Sequence, residues 1–151
     1  MNPKIEKYYR NFREYGWDQA VWALRNAKTL ARFEELEAEG RVKIVADPEC
    51  ENYWSIYGEP EGYVNGYGRR VSPEEERKEI EEWIERFGCW FVVALYLDPF
   101  TGEWEHADSI GMCIYDDPTD PYENCYVPDL QRSAIRELEK AEQRPANALT
   151  S

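Results

Sequence analysis

Few side chains in this 151-residue chain have the types and spacing for bond chemistry, and most of those are acids. The single histidine, His106, stands two residues before Asp108 in an alternating stretch, so in a regular strand both would point to one side. Asp116, Asp117, Asp120 and Glu123 follow between Tyr115 and Cys125. Carboxylate oxygens suit hard cations such as Mg²⁺ or Ca²⁺. With His106 and Asp108 they sketch a metal-assisted hydrolase. Against that sketch, the acids lack the D-x-D-x-D-G spacing of a calcium loop, and Asp-Pro steps are ordinary turn chemistry. A lone histidine more often packs or hydrogen-bonds in a strand, and neither a nucleophile nor a second base is recognisable. Cys50, Cys89, Cys113 and Cys125 are widely spaced with no C-x-x-C pair, which predicts reduced, partly buried thiols and no structural zinc. Nucleophile elbows and dinucleotide fingerprints are absent, and the glycine-rich run Gly62–Gly68 lacks the lysine of a phosphate loop. No catalytic residue, cofactor or metal is expected.

Two further groups suit binding. Seven glutamates (Glu74, Glu75, Glu76, Glu79, Glu81, Glu82 and Glu85) follow Ser72, against Arg77, Lys78 and Arg86. They form either a solvated helix face with i,i+4 pairs or a presented acidic ridge, with Glu75, Glu79 and Glu82 as its contacts. Tyr53, Trp54, Tyr57, Tyr63 and Tyr67 lie in a glycine-rich stretch among Glu51, Glu59 and Glu61. Tyrosine and tryptophan supply interface anchors at low entropy cost. They also pack as small satellite cores under loops.

The elements that position these groups are legible in part. A short helix is predicted over 4–15, then a long one over 18–39 with Ala20, Leu24, Ala27 and Ala31 on its apolar stripe, widened by Ala23, Leu30 and Phe33. Arg25, Lys28 and Arg32 share its opposite face. A strand is expected over 41–46, then a long irregular stretch to Arg70, of a length often functional. Ser72-Pro73-Glu74-Glu75 signals a capped helix running to Phe87, its buried stripe Ile80, Trp83, Ile84 and Phe87. Strands over 89–97 and 103–115 flank the turn Asp98–Gly102, the second with Trp104, His106, Asp108, Ile110, Met112 and Ile114 on one side. A last helix runs from Pro128 or Asp129 to Gln143, burying Leu130, Ala134, Ile135 and Leu138. The order predicts an α+β domain over 1–143, a three- to four-stranded antiparallel sheet packed with about four helices, and a loose tail over 144–151.

Charge narrows the partners. The net charge is −13, distributed as +2 over 1–45, −15 over 46–127 and zero over 128–151. Such a field repels nucleic acid and membranes and attracts basic protein surfaces. No apolar run reaches membrane-spanning length, and Met1-Asn2-Pro3-Lys4 opens no signal-peptide core, so the expected compartment is the cytoplasm. In overall profile (small, acidic, rich in aromatics, free of catalytic motifs) the chain resembles anti-restriction and anti-CRISPR proteins of phages and plasmids. That resemblance implies an inhibitor that binds the basic, nucleic-acid-binding surface of a defence enzyme, by nucleic-acid mimicry or steric block. The expected contacts are the glutamate ridge, the tyrosine-rich stretch and the loop of Asp116, Asp117, Asp120 and Glu123. The alternatives are the metal-dependent hydrolase above and a non-catalytic adaptor or homodimeric subunit.

Overall fold

The computed structural model describes residues 18–49 and 53–144. The helix predicted over 4–15, Cys50 and residues 145–151 lie outside the described residues. Within them the chain is an α+β fold. In order it runs α1 (Asp18–Ala38), β1 (Val42–Pro48), α2 (Tyr53–Tyr57), β2 (Tyr63–Val64), β3 (Arg70–Val71), α3 (Pro73–Phe87), β4 (Trp90–Leu97), β5 (Trp104–Cys113) and α4 (Val127–Glu142).

The main sheet is antiparallel in the order β1-β4-β5. The apolar run of β4 takes the central place, with Val92 and Ala94 fully buried. Helix α4 crosses all three strands, and α1 lies beside α4 against β1. The core between them gathers Phe33, Leu36, Val42, Val92, Leu130, Ala134 and Leu138. The buried stripe of α1 is Asn26, Leu30, Phe33 and Leu36, whereas Ala27 and Ala31 are exposed. Leucine and phenylalanine bury far more apolar area than alanine, so they decide how the helix rolls onto the sheet. Asn26 is buried because Arg132 of α4 donates to its Oδ1.

The second strand departs from simple alternation. Asp108 pairs with Ala94 and His106 with Leu95, with register shifts between Ala94 and Leu95 and between Trp90 and Val92. At such bulges the pleat changes phase. Asp108, Ile110 and Cys113 therefore share the helix-covered face with Ala94, Val92 and Trp90. His106 and Trp104 share the opposite face with Leu95 and Leu97. Met112 adopts φ 56° beside Gly111, the one described non-glycine residue in the left-handed region. The expected one-sided row from Trp104 to Ile114 is thus corrected.

Helix α3 also departs from expectation. Ser72 caps it, its Oγ accepting from the Glu75 N–H at 3.2 Å. Yet none of its residues is fully buried, and Trp83 is 48% exposed. Among the described elements α3 makes only marginal contact with the sheet and with α1 and α4. The stripe Ile80, Trp83, Ile84 and Phe87 is only partly covered.

Candidate functional site

Pro48 of β1 lies opposite Trp90 of β4, which lies opposite Cys113 of β5. The connection over 49–89 and the acidic loop after β5 therefore leave from the same end of the sheet. The described part of the first connection forms an arm in which the tyrosine-rich stretch folds onto α3.

The arm is held by the glutamates of α3. The Gly62 N–H donates to Glu76 Oε2 at 2.8 Å, the Tyr63 hydroxyl to Glu79 Oε2 at 3.1 Å, and Trp54 Nε1–H to Glu81 Oε1 at 3.2 Å. Arg69 pairs with Glu75 at 3.0 Å. Arg77 bridges Glu81 at 3.3 Å and Glu59, and its guanidinium stands 4.6 Å from the Trp54 ring. The bond to Glu79, followed by desolvation and the neighbouring carboxylates, raises the Tyr63 phenol above its ordinary pKa. Burial first, then Tyr57 and Glu76, raises Tyr53.

Between Gly62 and Val71 the chain makes a small hairpin, with Tyr63 opposite Val71 and Val64 opposite Arg70. Asn65 Oδ1 accepts from the N–H groups of Tyr67 and Arg69 at 2.9 and 3.0 Å, fixing the tip. The glycine-rich run is thus a hairpin tip carrying Tyr67, which is 97% exposed. Tyr57 is 59% exposed, and Ile56 and Val64 are exposed beside the aromatics. Tyr53 instead packs edge-on against Trp54, with ring centroids 4.9 Å apart.

The ridge residues divide. Glu75 and Glu79 face the hairpin, whereas Glu82 lines an open groove of about 470 Å³ with Glu74, Glu85 and Lys78. A second groove of about 560 Å³ runs between Tyr53, Tyr57, Gly62 and Ile80. Three of the donors to the ridge are neutral, and the ion pairs to it among the described residues come from Arg69 and Arg77.

The loop after β5 uses its acids to build turns. Glu123 Oε1 accepts from the N–H groups of Asp116 and Asp117 at 3.1 and 3.2 Å. Asp117 accepts from Thr119, and Asp120 from the Tyr122 N–H at 2.9 Å. Buried Asn124 ties the loop together, donating to the Pro118 carbonyl at 2.8 Å.

His106 and Asp108 are not brought together. Asp108 Oδ2 accepts from the Ser133 hydroxyl at 2.9 Å under α4, while His106 is exposed across the sheet. No described group of three or more His, Cys, Asp or Glu residues is arranged to hold a metal ion. Cys89, Cys113 and Cys125 are free, and burial first of all raises the Cys89 and Cys113 thiols, which disfavours the nucleophilic thiolate. No described helix is long and apolar enough to cross a membrane. Comparison with protein-family models, curated proteins and solved structures finds no match to this chain, so its own side chains must carry the functional reading.

Proposed function

We propose that this protein is a binding protein whose arm docks on the basic, nucleic-acid-handling surface of a partner protein and blocks it, in the manner of an anti-restriction or anti-CRISPR inhibitor. The observation that supports this reading is the hairpin tip itself. Tyr67 stands in the open on a hairpin held by two side chain–backbone bonds from Asn65, above a helix with exposed carboxylates. An aromatic displayed on a rigid support loses little entropy on binding, which is the physics of an interface anchor. The acids around it steer a basic partner and repel nucleic acid.

Capture from a host lysate at low salt, read by mass spectrometry, tests the proposal. The expected result is a nucleic-acid-binding protein whose release of labelled DNA or RNA follows addition of this chain. Tyr67→Ala should weaken the complex by about 2 kcal/mol, as hot-spot truncations do. Glu74→Gln with Glu82→Gln and Glu85→Gln should slow association and flatten its salt dependence. A complex indifferent both to Tyr67→Ala and to salt would sink the idea.

A further inference from the structure

Away from the arm, the loop after β5 meets α1, β1 and α4 around a pocket. Glu34 and Glu37, three residues apart on α1, face Asp117 and Asp120 of the loop across a pocket of about 200 Å³. Its floor is apolar, formed by Leu30, Phe33 and Ile44. Its remaining polar walls are Thr119 of the loop and Gln131 of α4. Gln131 is 4% exposed, and among the described residues its Oε1 has no hydrogen-bond partner. Leaving a buried acceptor unmade costs about 1–3 kcal/mol, so this oxygen marks a place for a donor.

The other groups ask for the same thing. Asp117 and Asp120 each use Oδ1 within the loop, which leaves the second oxygen of each outside those bonds. The Tyr122 phenol is raised first by burial, then by Glu34 and Asp120, so both acids act on one small region. No Lys or Arg among the described residues lines the pocket. Among the described residues these carboxylates form no group of three or more arranged to hold a metal ion, whereas the acidic rim over an apolar floor suits an extended cation with an aliphatic stem. A guanidinium offers five donors in a plane, enough to reach separated carboxylates and an amide oxygen together.

We infer that this pocket receives an arginine side chain of a partner protein. Its methylenes lie on Leu30, Phe33 and Ile44, its guanidinium sits among Glu34, Glu37, Asp117 and Asp120, and one N–H reaches Gln131 Oε1. The inference rests on the proposed binding function only in taking the arginine from a partner protein.

The test is an NMR titration of the isolated full chain with N-acetyl-arginine methylamide, followed at the Gln131 side-chain amide and the Thr119 backbone amide. Saturable shifts are expected, with affinity about 10-fold or more weaker in Glu34→Gln/Glu37→Gln, as loss of charge-assisted bonds implies. Glu35→Gln, outside the pocket, should bind as the parent does. Gln131→Leu should weaken binding without lowering the melting temperature, because it removes an unpartnered acceptor. Absence of saturable shifts, or equal affinity in the double variant, overturns the inference. So does tighter binding of spermidine, of the blocked lysine analogue or of Mg²⁺, which would assign the pocket to another cation. Since no partner is needed, failure here leaves the arm's proposed role standing, and failure of lysate capture leaves the pocket standing.

Discussion

Asp98 is almost wholly buried and held as a carboxylate by three donors. The N–H groups of Phe100 and Thr101 donate to its Oδ1 at 2.8 and 3.2 Å, and Arg144 reaches Oδ2 at 2.5 Å. The Phe100 bond does most to lower its pKa, against the opposing cost of desolvation, with Thr101 and Arg144 adding to it. A depressed carboxylate stabilises the fold above its unfolded pKa, and that contribution is lost as pH falls through the lower folded value. Asp98→Asn should therefore lower the melting temperature at neutral pH, and the two proteins should converge as the pH drops below the ordinary Asp range, about 4. Melting curves across pH would show it; a gap that persists in acid would count against it. The turn Asp98–Gly102 was legible because Asp-Pro and Gly mark it. Arg144 was not, since sequence reading put it in a loose tail. Here it closes the turn from 46 residues away and lies over Phe100. Pairing across that separation leaves no local trace.

At the scale of elements, Gly62 is the position where the arm admits no other residue. Its φ is +81°, and an added Cβ would lie 2.7 Å from the Val71 carbonyl oxygen. Gly62→Ala should cost the arm about 2 kcal/mol or more, from left-handed strain plus that clash. Hydrogen exchange should then quicken over residues 62–71 while the β4 amides keep their protection; uniform loss would mean that the arm and core unfold together. The Ser72 cap and the extent of α3 were readable, because cap chemistry is local. What covers α3 was not. An apolar stripe states that a helix has a face, not what lies on it, and here α2 and the hairpin approach it in place of the sheet. The His106–Asp108 pairing misled for a related reason. Period-two reading assumes an unbroken pleat, and a bulge moves residues two apart to opposite faces without changing composition. Gly111 before Met112 hinted only at the other register shift, between Trp90 and Val92.

The whole molecule distributes its charge less simply than three segments suggest. Residues 88–127 contain eight acids and no Lys or Arg, whereas 53–87 hold nine acids and five bases. The larger net charge, −8 against −4, thus belongs to the β4–β5 hairpin and the loop after it rather than to residues 53–87. The α+β plan and the central place of β4 followed from element order and an apolar run. That the arm and the acidic loop leave one end of the sheet required the strand register. Because Pro48 faces Trp90, residues 49–89 can be replaced by a tight Asn-Gly turn. The shortened chain should keep its cooperative melting, and loss of the transition would show that the arm supports the core. The same register also sets the order of assembly. The β4–β5 pairing closes across the short turn after Leu97, whereas β1 must find β4 around the whole arm. Loop closure grows as the logarithm of length, so shortening the connection about twentyfold lowers that entropic barrier by about 3 kcal/mol. In stopped-flow refolding the shortened chain should outpace the parent with little change in its unfolding rate, as expected when the β1–β4 junction is the last long-range contact to form before the barrier.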